Sequence, residues 1–196
     1  MIDETKIREQ WFHNHQATYT DHGAIKELIW RRPETVAYYV RFVFDGRNMY
    51  VTGDLGEALF CFTETADVHT FNEYGIDYFT EKLKAYHEDT HYFDNDIAVE
   101  RLRRWVKELK SDGDTYDHDE MRELFEAARS IDTMREWADV INDSSWLHDI
   151  EPDYWEWMYS VGKQMQPRLK SYLVALKMAS EQLLAPKEGA DKHEPV

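Results

Sequence analysis

The chain has 196 residues, enough for one ordinary domain or two small ones, and its 42% apolar and 14% aromatic content supports a real core. A formal net charge of −16 argues against direct contact with nucleic-acid phosphate. The single cysteine, Cys61 in the apolar run "ALFCF", excludes an intramolecular disulfide and a cysteine-based zinc cluster, and reads as a small buried hydrophobe.

The N-terminal segment "DETKIREQWFHNH" reads as a short helix. "AIKELIW" (24–30) is a candidate strand, with Pro33 confining its end to an edge or turn. "VAYYVRFVF" (36–44) is β-branched and aromatic, and "DGRN" (45–48) follows as a tight turn at Gly46. "MYVTGD" (49–54) and "EALFCF" (57–62) return as further strands. These segments predict an antiparallel meander.

Beyond residue 63 the period becomes helical. "IDYFTEKLKAYHEDTHYF" (76–93) places Tyr78, Phe79, Leu83 and Tyr86 on one stripe. "NDIAVERLRRWVKELK" (95–110) sets Val99, Leu102, Val106 and Leu109 at helical spacing, with basic residues opposite. "DHDEMRELFEAARS" (117–130) opens on the capping-box pair Asp117 and Glu120. "DTMREWADVIND" (132–143) and "EPDYWEWMYSVG" (151–162) read as shorter acidic helices. "QPRLKSYLVALKMASEQLL" (166–184) starts with Pro167, suited to a first turn. Strands first and helices second predict an α+β fold: a small N-terminal antiparallel β-sheet packed with about five to six C-terminal helices. One domain is expected over 1–184, its sheet-containing half about 1–93 and its acidic helical half about 94–184. Residues 185–196 read as a disordered tail.

The charge is unevenly spread. Residues 111–159 hold 15 acids against 3 bases, while 1–110 hold 20 against 14 and 160–196 hold 4 against 6. Three quarters of the excess thus lies in one quarter of the chain. Such a block either solubilises one face or meets a basic protein groove. The basic run Arg101, Arg103, Arg104, Lys107 and Lys110 reads as a solvated helix face that docks the acidic segment onto the first half.

His87, Glu88 and His91 in "HEDTH" match the H-E-x-x-H spacing of zinc peptidases. On a helix, His87 and His91 would share a face as ligands, and Glu88 would act as base on a metal-bound water. Against this, Asp89 adds a charge inside the motif and no third ligand follows at the extended spacing. The other reading is two surface histidines near a helix end. "HNH" at 13–15 lacks the separated residues of the nuclease motif of that name, and "VTGDLGEALF" is no phosphate-binding glycine loop. No G-x-S-x-G is present. Trp155 and Trp157 stand two apart, so a helix buries only one on its stripe and leaves the other exposed or covering a neighbour.

Three stretches, "YYVRFVFDGRNMYVTGDLGEALFCF" (38–62), "IDYFTEKLKAY" (76–86) and "LVALKMASEQL" (173–183), together resemble a group of bacteriophage and prophage proteins that carry the VTGDLGEA hairpin. The resemblance brings no catalytic residues. It implies a viral protein that neutralises a bacterial defence system, of which anti-CRISPR proteins are one class.

The reading that follows is a non-enzymatic, phage-encoded inhibitor of a nucleic-acid-targeting defence system. It would act as a nucleic-acid mimic, binding stoichiometrically to a host protein with a basic nucleic-acid-binding groove, such as a CRISPR effector nuclease. Asp139, Asp143, Asp149, Glu151, Asp153 and Glu156 would supply the charge, with Trp155 or Trp157 as anchor. No cofactor, direct nucleic-acid contact or membrane partner is expected. The polar N-terminus shows no signal-peptide pattern, and the expected location is the host bacterial cytoplasm. The alternatives are a zinc-dependent hydrolase using 87–91 and a phage structural or assembly factor.

Overall fold

The computed structural model describes residues 3–185. The expected disordered tail lies outside them from residue 186 onward. The chain gathers into two compact units, Met1–Glu88 with Pro167–Val196, and Asp89–Gln166. The class is α+β, as the order of periodicities predicts.

The first unit begins with a short helical turn, α1 (Glu4–Lys6), capped by the Asp3 carboxylate and continued as a wider turn over Ile7–Trp11. Six strands follow: β1 (Gln16–Asp21), β2 (Ile25–Arg31), β3 (Val40–Asp45), β4 (Asn48–Gly53), β5 (Ala58–Cys61) and β6 (Leu83–Tyr86). Each pairs antiparallel with the next, in the order β1-β2-β3-β4-β5-β6. The four predicted strands stand in this sheet as β2 to β5, while β1 and β6 extend the meander at its two edges without having been predicted, and the 45–48 turn closes on the Asp45–Asn48 pair with Gly46 at φ +57°. Strict alternation on β3 sends Val40, Phe42 and Phe44 inward. Met49 and Val51 on β4 and Ala58 and Phe60 on β5 continue that face. Cys61 falls on the other parity of β5 and is half-buried.

The inner face is covered by α7 (Pro167–Leu184). Leu169, Tyr172, Leu173, Leu176 and Ala179 are buried there. The Tyr172 ring meets Phe42 edge-on at 6.4 Å, and its hydroxyl donates to the Leu55 carbonyl at 2.7 Å. The His69 imidazole reaches the buried Ser180 hydroxyl at 2.8 Å. Helix 167–184 thus belongs with the sheet, in the first unit.

Residues 76–93 do not form the single helix their stripe suggests. A short α2 (Ile76–Glu81) ends at Lys82, and the chain then extends as β6. The cause is the free edge of β5. Ala58 pairs with Tyr86, Leu59 with Ala85 and Phe60 with Leu83, across a register shift at Leu59/Phe60. Edge groups left unpaired invite such a strand, and the gain outweighs local helical preference.

The second unit is framed by a two-stranded ribbon, β7 (His91–Phe93) with β8 (Lys163–Met165). Between them run α3 (Asn95–Asp112), α4 (His118–Ser130), α5 (Met134–Asp143) and α6 (Leu147–Ile150). The starts are capped as their sequences require. Asp94 accepts from the Ile97 N–H, Asp117 from Asp119 and Glu120, and Thr133 with Glu136 forms a full capping box. The Glu120 and Asp119 N–H groups hold the Asp117 carboxyl below the usual carboxylate range, and the Asp132 N–H with the Thr133 hydroxyl and N–H does the same for Glu136. Leu102, Trp105, Leu109, Leu124, Trp137, Ile141, Leu147 and Met158 build the core of this unit.

Residues 151–162 also depart from the predicted helix. They form two 3-10 turns, Tyr154–Glu156 and Met158–Ser160. The buried Trp137 indole N–H takes the Met158 carbonyl at 2.8 Å, and the Ser160 hydroxyl takes the Trp157 carbonyl at 2.7 Å. The same two carbonyls also accept backbone N–H groups three residues on, from Ser160 to Trp157 at 2.9 Å and from Val161 to Met158 at 3.1 Å, so the segment closes as tight turns and not as an α-helical ladder.

Candidate functional site

In the second unit 20 acids face 9 bases, so it carries −11 of the total charge. Its most distinctive surface is the turn at 153–157. Trp137 anchors the following residue from below, and the Tyr159 hydroxyl donates to Asn142 Oδ1 at 2.6 Å, tying the turn to α5. On that anchored turn Trp155 is 59% exposed, whereas Trp157 folds back against α3. The two-residue spacing separates the rings as predicted, although on a 3-10 turn. Asp153 and Glu156 flank Trp155, both exposed and neither in an ion pair.

The other predicted acids are distributed around this unit. Asp139 and Asp143 share one exposed face of α5, a helical turn apart. Asp149 on α6 lines a shallow depression with Asp117 and Glu120 of α4. Glu151 is half-buried and lines a cleft of about 290 Å³ with Trp157, Trp105, Arg101, Arg104 and Glu108. The structure therefore brings Glu151 to Trp157, and Asp153 and Glu156 to Trp155. Asp117, Glu120, Trp105 and Glu108 join these surfaces without having been singled out for them. Asp117 and Glu120 were legible only as a helix start, which masked the carboxylate that each also presents.

The basic run is built into this same unit. Arg101 donates through Nη1 to the Ser160 carbonyl at 3.3 Å and hydroxyl at 3.1 Å, and its guanidinium lies 5.6 Å from the Trp157 ring centroid. Arg104 pairs with Glu100 at 3.2 Å, one turn back on α3. Trp105 meets Trp157 edge-on at 5.6 Å, and its indole N–H is buried without an acceptor. Arg101 therefore positions Trp157, while Arg103, Lys107 and Lys110 remain exposed.

"HEDTH" has no helix under it. His87 and Glu88 follow β6, and His91 begins β7, so the shared helical face of the zinc motif is not formed. His87 packs its ring against Gly56, which has φ +97°, and its Nδ1 lies 3.2 Å from the Glu57 N–H donor. Its Nε2 faces Glu88 Oε1 at 3.5 Å, and Glu88 also accepts the Tyr86 hydroxyl at 3.0 Å. Burial, with the nearby Tyr172 and Glu88, pushes the Tyr86 phenol well above its ordinary range. His91 is hydrogen-bonded to the Thr90 hydroxyl at 2.9 Å. Among the described residues, no three His, Cys, Asp or Glu side chains converge as a metal cluster. None of their helices is long and apolar enough to cross a membrane.

Comparison with protein-family models, with curated proteins and with solved structures gives no match for this chain.

Proposed function

We propose that the chain is a stoichiometric protein-binding module whose acidic second unit occupies the basic nucleic-acid groove of another protein. The observation that carries this reading is Trp155, 59% exposed on a turn fixed from beneath and flanked by the unpaired carboxylates of Asp153 and Glu156. An exposed indole loses little by burial against a partner, and a fixed turn has little conformational freedom left to lose. The surrounding −11 charge favours a cationic partner and speeds encounter with it. The resemblance of the hairpin 38–62 to phage proteins narrows the partner to a bacterial nucleic-acid-targeting defence protein, such as a CRISPR effector. The phage origin and the inhibitory outcome rest on that resemblance alone.

The test is capture on the tagged chain from a defence-competent bacterial lysate, eluted along a salt gradient. A nucleic-acid-binding protein should elute at moderate salt, and an equimolar amount of the chain should displace its nucleic acid. Trp155→Ala with Asp149, Asp153 and Glu156 each changed to Lys should abolish both effects. Unchanged capture by that variant, or a captured protein that keeps its nucleic acid, would sink the proposal.

A further inference from the structure

The first unit holds a groove of about 400 Å³ that the acidic face does not use. Leu173 and Val174 of α7 contribute to it, and both side chains are nearly buried. Ile7, Tyr74 and Ile76 line it as well. The volume lies in the range of small-molecule sites, and the lining is mostly apolar.

Its charged residues divide unequally. Asp3 and Glu4 line the groove, but both are engaged: Asp3 accepts from the Lys6 N–H at 2.9 Å, and Glu4 pairs with Arg8 at 3.0 Å. Arg8 is in turn bound by both oxygens of Glu181 at 3.1 Å. Lys170 and Lys177 also line the groove, half-buried, and neither forms a hydrogen bond or an ion pair. Seven residues apart on α7, they share a face, separated by roughly 10 Å along the axis, with Leu173 and Val174 between them. Two half-buried ammonium groups without an ion-pair partner thus flank one strip of apolar side chains within a single groove.

We propose that this groove binds a small amphipathic anion: an aliphatic or aromatic body bearing one carboxylate. The body would lie over Leu173 and Val174, and the carboxylate would accept from Lys170 or Lys177. A cation is disfavoured because the acids present are already paired. A neutral apolar molecule would leave both lysines as they are and gain only from burial.

Calorimetric titration of the full-length protein with decanoate, below its micelle concentration, tests this, with decanol and decyltrimethylammonium as the neutral and cationic counterparts. Decanoate should bind saturably at one site, decanol about tenfold more weakly, and the cation not at all. Lys170→Gln with Lys177→Gln, both at half-exposed positions that leave the core intact, should bring decanoate down to the decanol level. Ile76→Trp, at a half-buried position on the groove wall, should close the groove to both, with an unchanged unfolding midpoint showing that the fold is kept. Equal binding of decanoate and decanol, decanoate affinity unaltered in the double lysine variant, or no saturable decanoate binding would each overturn the proposal.

Discussion

Trp137 and Trp155 show how differently one residue type can be used within twenty positions. Trp137 is fully buried and spends its indole N–H on the Met158 carbonyl. Trp137→Phe should therefore cost about 1–3 kcal/mol, because a buried indole bond is lost and the smaller ring leaves space in a fully buried site. Trp155→Ala removes an exposed ring with no intramolecular partner and should shift stability by less than about 0.5 kcal/mol. Urea unfolding of the two variants beside the wild type measures both. A large loss for Trp155→Ala would mean that its ring supports the fold and is not held free for a partner. His15 makes a second prediction. It is 3% exposed, in ring contact with Phe12 and Trp30, with Nε2 near the Tyr38 carbonyl at 3.3 Å. Burial, reinforced by the charge of Arg32, holds its pKa below the ordinary histidine value. In the unfolded chain the imidazole protonates near pH ~6.5, while the folded one stays neutral. The unfolded state then binds more protons, so stability is full above that pH. It falls by up to ~1.4 kcal/mol per unit as pH drops from there to the folded pKa. His15→Gln should remove that slope. Parallel pH profiles for variant and wild type, between pH 7.5 and 5.5, would rule His15 out as its source.

Elements whose signals are local could be read from the sequence, and those that depend on a distant partner could not. The β3–β4 hairpin carries its own turn, and α3, α4 and α5 carry their own caps, so each stands where its residues place it. By contrast β6 has the stripe of a helix and becomes a strand because β5, some 25 residues earlier, offers an open edge. The two glycines of "VTGDLGEA" were likewise legible as a bend, but not their purpose. Gly56 takes φ +97° and leaves the space that the His87 ring fills, so the second glycine of the hairpin and the first histidine of "HEDTH" are one packing unit. Gly56→Ala should destabilise by about 1–2 kcal/mol through the backbone alone, and by about 1–3 kcal/mol more through overpacking against His87. Adding His87→Ala should recover the second part and not the first, a coupling that a double-mutant cycle reads directly. If the two losses simply add, the Gly56–His87 contact is not what holds this corner.

At the scale of the whole molecule, the acidic block at 111–159 was visible in the sequence, and it falls entirely within the second unit. What periodicity along the chain does not reveal is that α7 returns to the sheet. The spread of apolar residue types was the available sign: Leu169, Tyr172, Val174, Ala175 and Ala179 reach well beyond one stripe, and in the structure all five are buried. The consequence is topological, because residues 89–166 are an insertion in the chain of the first unit. The ends of this insertion meet. His91 pairs with Met165, and the Gln166 N–H donates to the Thr90 carbonyl at 3.0 Å. Among the described residues, its core runs from Phe93 to Val161 and is built from the insertion's own side chains. A unit with its own core and adjoining ends is one that folds when excised. A fragment of residues 89–166 should therefore unfold cooperatively in urea and keep the helical circular dichroism of α3–α5. It should also retain the salt-sensitive binding assigned to the Trp155 face, since that face lies wholly within it. A fragment without a cooperative transition would mean that the second unit depends on the rest of the chain for stability. A folded fragment that binds nothing the full chain binds would move the interface off this unit altogether.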